Sequence, residues 1–238
     1  MLLASLVTAA VVGFAPTPAA KPAAVRWSRV PAPAVANSLG RRQATQAAVA
    51  AGSFLGITAL PANAEFDYPK ISMMTTEGEM QFELYTDVAP KHVESFLKLT
   101  KQGFFDGGAF HRIIPGFVIQ GGDPNAKVGY GPKGTLEGAD KKAISKWGRG
   151  GPGYTVPAEF NERQHEFGVL SMARAADPNS AGSQFFVCLG RLTSLDNKYT
   201  VFGRLTKGED VLRRIAAAKT VAGDIPEVRQ GIERVDAL

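Results

Sequence analysis

Residues 110–123 have the sequence Phe110-His111-Arg112-Ile113-Ile114-Pro115-Gly116-Phe117-Val118-Ile119-Gln120-Gly121-Gly122-Asp123. Six of these fourteen residues are β-branched or aromatic, three on each side of Pro115-Gly116, which predicts two strands joined by a turn. An arginine in such a strand is seldom fully buried without a partner, so we expect Arg112 to line an open groove. With Gln120 and the apolar side chains around it, Arg112 predicts a site for a small ligand or a peptide.

The 238-residue chain carries a formal charge of +5, which is unevenly placed. Residues 1–64 hold five of the 27 basic residues and none of the 22 acidic ones, so residues 65–238 carry 22 of each sign. Nucleic-acid binding needs clustered Lys and Arg, and this balance argues against it. The single cysteine, Cys188, excludes a disulfide within the chain, and the three histidines lack the spacing of metal ligands.

Residues 1–64 are rich in Ala, Pro and Val and predict a targeting presequence rather than a core. An apolar run over residues 1–13 is too short to span a bilayer, and a basic stretch containing Ser and Pro follows it to about Asn37. Arg41-Arg42 then precedes an apolar segment that ends in Ala62-Asn63-Ala64. This order resembles a bipartite plastid presequence that ends in a twin-arginine signal with an A-x-A cleavage site.

We therefore expect cleavage before Glu65, a location in the plastid thylakoid lumen, and no stable membrane insertion of the processed chain. Each part of the presequence has a simpler explanation as well. Arg41-Arg42 can be two ordinary charges, and residues 47–60 can be a core helix or an uncleaved anchor.

Residues 65–238 have the size of one domain. Pro90 and the spacing of Val93, Phe96 and Leu97 predict a helix that ends at Gly103, and a second helix is predicted over residues 209–218. Residues 124–153 are rich in Gly and Lys and predict a long loop. The predicted strands are residues 70–75, 80–85, 110–114, 117–120, 167–173, 183–188, 200–205 and 228–235. Many strands with two helices predict a mainly β fold, a closed antiparallel barrel with capping helices.

Residues 110–123 resemble the signature of the cyclophilin family of peptidyl-prolyl isomerases. Three further segments agree with that family in order and spacing, and the resemblance covers about residues 69–235. They are Gly151-Pro152-Gly153-Tyr154-Thr155-Val156-Pro157-Ala158-Glu159-Phe160-Asn161, Leu170-Ser171-Met172-Ala173-Arg174 and Asn179-Ser180-Ala181-Gly182-Ser183-Gln184-Phe185-Phe186. The resemblance implies an eight-stranded barrel with a helix over each end and an outer groove for a proline-containing peptide.

The resemblance also implies roles for individual residues. Arg112 corresponds to the catalytic arginine. The wall of the proline pocket corresponds to Phe117, Val118, Phe186 and Leu195, and the positions that contact the substrate backbone correspond to Gln120, Ala173, Arg174 and Gln184. Tyr199 occupies a further substrate-binding position, where many members have histidine. From the residues alone, the two phenylalanines could equally belong to the core, and Arg112 could be a structural ion-pair partner.

The chain departs from the common family pattern at several positions. Ser194 stands where many members have tryptophan, Val118 where methionine is frequent, and Arg174 where asparagine is frequent. Because the tryptophan would supply a large apolar wall, we expect weak cyclosporin binding. The same loss leaves open an alternative function, a low-turnover peptide-binding or assembly module on the same scaffold.

Rotation about an X-Pro bond requires no nucleophile, metal or cofactor, because a site only has to bind the twisted bond more tightly than the planar forms. On twisting, the prolyl nitrogen regains its lone pair and can accept a hydrogen bond. We expect the Arg112 guanidinium to donate that bond and Gln120 to orient Arg112. The expected partners are proline-containing polypeptides, and the expected active unit is a monomer.

Overall fold

The computed structural model describes residues 66–238. The predicted presequence, residues 1–64, and its cleavage site lie outside the described residues. No helix within residues 66–238 combines the length and the apolar character needed to cross a membrane.

The described residues are mainly β, as predicted. The strands are β1 (Lys70–Thr75), β2 (Gly78–Leu84), β3 (Gly108–Ala109), β4 (Arg112–Ile114), β5 (Val118–Gly121), β6 (Val169–Met172), β7 (Phe185–Cys188), β8 (Val201–Lys207), β9 (Thr220–Val221), β10 (Ile225–Pro226) and β11 (Gly231–Ala237). The helices are α1 (Pro90–Lys101), α2 (Lys141–Ile144) and α3 (Glu209–Ala216), and three 3-10 turns cover Pro124–Lys127, Pro178–Ser180 and Thr193–Leu195.

Nine strands form one curled antiparallel sheet in the order β3-β11-β1-β2-β8-β6-β7-β5-β4, and β9 and β10 form a separate hairpin. The prediction of eight strands in a closed barrel was therefore inaccurate. Of the strand predicted over residues 110–114, only Arg112–Ile114 is a strand, β4; the short strand β3 lies just before it, at the opposite edge of the sheet. Strand β3 pairs with β11, and after Phe110-His111 strand β4 pairs with β5. The two edges of the sheet are therefore connected by the backbone between β3 and β4, and among the described residues no hydrogen-bonded strand pair joins them.

Alternation along the strands separates the inside of the barrel from its outer face. Ile113 lies opposite Ile119, Ile119 opposite Val187, and Val187 opposite Leu170, and all four side chains are fully buried. They belong to the main hydrophobic core, which also receives the apolar faces of α1 and α3. The residues next to them in each strand point to the other face, which carries Arg112.

The α1 helix begins at Pro90, whose missing N–H costs nothing at that position. The Glu159 carboxylate accepts hydrogen bonds from the backbone N–H groups of Lys91 (3.1 Å) and His92 (3.0 Å), so a distant loop caps the helix. The helix ends at Lys101, two residues before the predicted Gly103.

Residues 124–153 are more ordered than the predicted loop. They contain a 3-10 turn and α2, and they pair with the segment that follows β10, where the Leu136 N–H donates to Glu227 O (3.1 Å). The Tyr130 hydroxyl also donates to Pro226 O (3.0 Å), and the Trp147 ring lies against Tyr130. These long-range contacts fix the segment against the β9–β10 hairpin.

Candidate functional site on the outer face of the barrel

The outer face carries one row of directly opposed residues across four strands. Arg112 on β4 lies opposite Gln120 on β5, Gln120 opposite Phe186 on β7, and Phe186 opposite Ser171 on β6. Directly opposed residues of antiparallel strands project from the same face. The sheet therefore places a guanidinium, an amide and an aromatic ring side by side, although Arg112 and Phe186 are 74 residues apart in sequence.

Arg112 is held in place by the β9–β10 hairpin. Its Nε donates a hydrogen bond to Asp224 Oδ2 at 3.2 Å, and the Asp224 carbonyl accepts the Ile113 N–H at 2.8 Å. The Arg112 side chain is 43% exposed, and its two terminal nitrogens have no hydrogen-bond partner among residues 66–238. The guanidinium is thus oriented through one nitrogen, which leaves its other donors available to a ligand.

Sequence analysis did not identify Asp224. It lies in the turn between β9 and β10 with a φ of 62°, a left-handed conformation that Asp tolerates better than most residues. The turn Ala222-Gly223-Asp224 was a recognisable signal for a tight turn. The contact with Arg112 bridges 112 positions, however, and no local pattern predicts it.

Gln120 lies beside Arg112, but it does not donate to it as expected. Its Nε2 donates to Gln184 Oε1 at 3.0 Å, and Gln184 Nε2 donates to Gly150 O at 2.9 Å. This chain of amides connects the row to residues 148–155. Asp224, rather than Gln120, makes the side-chain hydrogen bond that orients the guanidinium.

The apolar residues of the predicted pocket lie together in a second hydrophobic cluster, separate from the main core. It contains Phe117, Val118, Ala173, Phe186, Leu195 and Tyr199 of the predicted set. Val118 and Phe186 are buried, whereas Phe117, Leu195 and Tyr199 are partly exposed, so the cluster has a solvent-facing side. The Tyr199 ring meets the Phe186 ring edge-on, with 5.8 Å between ring centres. Ser194, at the predicted gap in the wall, is exposed.

The Arg174 guanidinium is held by hydrogen bonds to backbone carbonyls. Its Nε donates to Lys198 O (3.1 Å), its Nη1 donates to Ala175 O (2.9 Å), and its guanidinium lies 4.6 Å from the centre of the Tyr199 ring. The side chain therefore forms part of the wall behind Tyr199.

A buried histidine supports the cluster from behind, and sequence analysis also missed it. The His165 ring stacks on Phe186 with 6.0 Å between ring centres, and its two nitrogens lie 3.0 Å from Asp196 Oδ1 and 3.0 Å from Ser171 Oγ. Burial lowers the pKa of His165 despite the attraction of Asp196. The hydrogen bond from Arg191 holds the pKa of Asp196 well below its usual range. This network fixes the orientation of the Phe186 ring.

The single thiol of the chain, that of Cys188, belongs to the buried part of this second cluster. Cys188 is fully buried, and burial raises its pKa to about 12. The group therefore stays protonated, and it behaves as a small apolar side chain.

Comparison with known proteins agrees with this geometry. The family model described as cyclophilin type peptidyl-prolyl cis-trans isomerase/CLD matches residues 70–237. The peptidyl-prolyl cis-trans isomerase ppi1 of Schizosaccharomyces pombe is 39% identical over 158 residues, covering 66% of this chain and 90% of the yeast protein. A probable peptidyl-prolyl cis-trans isomerase of Brucella suis is 36% identical over 174 residues, covering 71% of this chain and 84% of the bacterial protein.

A solved structure shows the same fold. The cyclophilin type peptidyl-prolyl cis-trans isomerase of Cryptosporidium parvum, crystallised in the presence of the dipeptide Ala-Pro, superposes with a TM-score of 0.60 at 29% sequence identity. The match covers 71% of this chain and 98% of that one. The chain described here therefore belongs to the cyclophilin-type family of peptidyl-prolyl cis-trans isomerases, enzymes that rotate the peptide bond preceding proline.

Proposed function

We propose that this chain accelerates X-Pro rotation at the groove formed by Arg112, Gln120 and the Phe186 cluster. The single observation that carries the proposal is the cross-strand row, which sets the free donors of Arg112 beside a partly open apolar surface. An apolar surface with a few directed polar groups suits a proline ring and the bonds on either side of it.

In the proposed mechanism the cluster holds the pyrrolidine ring while the chain before it rotates. Resonance sets the barrier to peptide-bond rotation at about 18–20 kcal/mol, and the twisted bond loses that resonance. The prolyl nitrogen then accepts a hydrogen bond from Arg112, which the planar forms cannot do. One charge-assisted hydrogen bond contributes about 1.5–3 kcal/mol, and the rest of any larger acceleration has to come from anchoring and desolvation.

Exchange spectroscopy tests this proposal directly. A proline tetrapeptide in slow cis-trans exchange, roughly 10–100 s when uncatalysed, is mixed with a small amount of the protein comprising residues 65–238. We expect exchange cross-peaks between the cis and trans forms at mixing times at which the free peptide shows none. Their absence at saturating peptide would contradict the proposed activity.

One observation favours a second candidate function, a low-turnover peptide-binding or assembly module. Ser194 is exposed where a large apolar side chain would close the pocket, so a bound proline would be held on fewer sides. Chemical-shift changes on adding peptide, without exchange cross-peaks, would favour binding over catalysis.

We also propose that residues 1–64 direct the protein to the plastid thylakoid lumen and are removed before Glu65. The support is the order of the apolar run, the basic stretch and Arg41-Arg42 before Ala62-Asn63-Ala64. N-terminal sequencing of protein isolated from the organism should begin at Glu65, and a retained leader would contradict both cleavage and release. We take the processed unit to be a monomer, which light scattering would check.

A further inference from the structure

A recess of about 710 Å³ adjoins the row at Gln120, and Arg112 is not among its lining residues. Residues 148–155, 173–175 and 180–184 form its walls, and Gln120 and Gln184 form the edge that it shares with the groove. A peptide whose proline lies against Phe186 would place its neighbouring residues in or near this recess. The side chains that line the recess can therefore discriminate among client sequences.

The charged residues that line the recess are both cationic. Arg149 and Arg174 contribute to its walls, and no carboxylate does. Arg149 is exposed, and the ion pairs among residues 66–238 do not include it. The hydrogen bonds of Arg174 to backbone carbonyls leave its charge uncompensated. A third cation, Lys98, lies 5.5 Å from the ring centre of Tyr154, which also lines the recess.

Two acidic residues close in sequence to residues that line the recess accept hydrogen bonds from the backbone. Asp123 is buried and accepts the N–H groups of Asn125 (2.8 Å) and Gly150 (3.3 Å). Asp177 is exposed and accepts the Asn179 N–H (2.9 Å). Residues 124–153 add to the positive field, because they contain five lysines and Arg149 against only Glu137 and Asp140.

We propose that this recess selects client polypeptides that carry an acidic side chain close to the isomerised proline, and that Arg149 sets the preference. The inference rests on the proposed function and specifies its substrate class. A guanidinium pairs well with a carboxylate in geometry and in charge, whereas a lysine in the client would be repelled.

The test uses peptides that differ only in one residue, Glu, Gln or Lys, placed in turn at each of the three positions before and after proline. We expect kcat/KM for Glu to exceed that for Lys by about two- to fivefold at one or more positions, the range of an exposed ion pair. The ratio should shrink in about 0.5 M NaCl, because salt screens exposed charges. Arg149→Glu should bring it to one or below, and the matched control Arg234→Glu, on β11, should leave it unchanged.

A Glu-to-Lys ratio of one at every position, or a ratio that Arg149→Glu does not alter, would overturn the inference. Turnover of the Gln peptides separates this outcome from failure of the proposed function. If the Gln peptides are isomerised and charge has no effect, the activity stands and the selectivity does not. If no peptide is isomerised, both are wrong.

Discussion

At the scale of single residues, the position of Arg112 depends on Asp224, a neighbour that is remote in sequence. One nitrogen of the guanidinium is held, and the other two are left to the groove. Because the Asp224 side chain is itself 42% exposed, the pair should contribute little to stability. We expect the pair to contribute by orienting the Arg112 guanidinium.

We expect Asp224→Ala to lower kcat/KM on a proline tetrapeptide by about three- to tenfold, because Arg112 then samples orientations that miss the prolyl nitrogen. The free energy of unfolding should change by less than about 1 kcal/mol. Asp224→Asn, which keeps an acceptor oxygen, should recover most of the activity. Unchanged kcat/KM in Asp224→Ala would show that the hairpin does not position Arg112.

The histidines give the protein a defined response to acid. Burial lowers the pKa values of His92, His111 and His165, that of His111 to about 4 from 6.5. At mildly acidic pH the unfolded chain therefore binds more protons than the folded one. The stability that the neutral histidines contribute is complete above pH 6.5 and is lost as the pH falls towards 4.

Replacing His111 should remove part of this response. Between about pH 7.5 and about pH 5, we expect the fall in unfolding free energy to be about 2 kcal/mol smaller in His111→Gln than in the wild type. Urea denaturation followed by circular dichroism at both pH values measures the difference. Parallel falls in the two proteins would mean that His111 titrates normally in the folded state.

The residues of the site were predictable to different degrees. Arg112, Gln120 and Phe186 lie in segments whose residue types and order were informative, and the structure brings them together. Asp224 and His165 act through contacts that no spacing rule describes. The hydrogen bonds of the Arg174 guanidinium to Lys198 O and Ala175 O were likewise not predictable from the sequence pattern.

At the scale of elements, two glycines with similar backbone conformations have different surroundings. Gly116 in the β4–β5 turn has a φ of 72° and Gly122 after β5 has a φ of 81°. A Cβ on Gly116 would meet nothing within 4 Å, whereas a Cβ on Gly122 would collide with the Ser183 carbonyl oxygen and the Phe185 ring.

Gly116→Ala should therefore cost about 1 kcal/mol, the strain of the left-handed conformation alone. Gly122→Ala should cost about 3 kcal/mol or more, because β5 and β7 must also separate. Thermal and urea unfolding of the two variants measure both values. Equal destabilisation of the two variants would mean that β5 and β7 separate near Gly122 at little energetic cost.

The segment over residues 124–153 can be tested through Trp147, whose Nε1 donates to Val128 O at 3.0 Å. In Trp147→Ala we expect about tenfold faster hydrogen exchange at the amides of Leu136 and Asp140. The Leu136 amide donates to Glu227 O, just after β10, and the Asp140 amide donates to Gly129 O within the segment. Amides of the barrel strands, such as Ile113, should not change. In Trp147→Phe, which keeps an aromatic ring, the exchange rates should lie between those of the wild type and Trp147→Ala. Acceleration throughout the barrel would contradict a locally ordered segment.

Most elements could be predicted because their patterns are local. Alternation located β1 and β2, residue type located β5 to β8 to within a few residues, and helical spacing located α1 and α3. The separation of β3 from β4 could not be predicted, because it depends on which strand each of them pairs with. The order within residues 124–153 likewise comes from packing against the hairpin.

At the scale of the whole molecule, the curled sheet keeps two apolar groups of residues apart. The group inside the barrel is buried and stabilises the fold, while the outer cluster around Phe186 stays partly open. Because successive side chains of a strand point to opposite faces, neighbouring residues belong to different groups: Ile113 packs in the core and Arg112 lies at the groove. The mainly β class was visible in the sequence, but the number of strands and the manner of closure depended on the tertiary structure.

The most direct test of the account compares wild-type protein, Arg112→Ala and Arg112→Lys in a protease-coupled assay on a proline tetrapeptide. One charge-assisted hydrogen bond corresponds to about a ten- to hundredfold effect, so kcat/KM should fall by that factor in Arg112→Ala. Arg112→Lys, which keeps a charge without the planar fork, should lie between, and the unfolding temperatures should agree. Equal kcat/KM for the wild type and Arg112→Ala would contradict the catalytic role of this arginine.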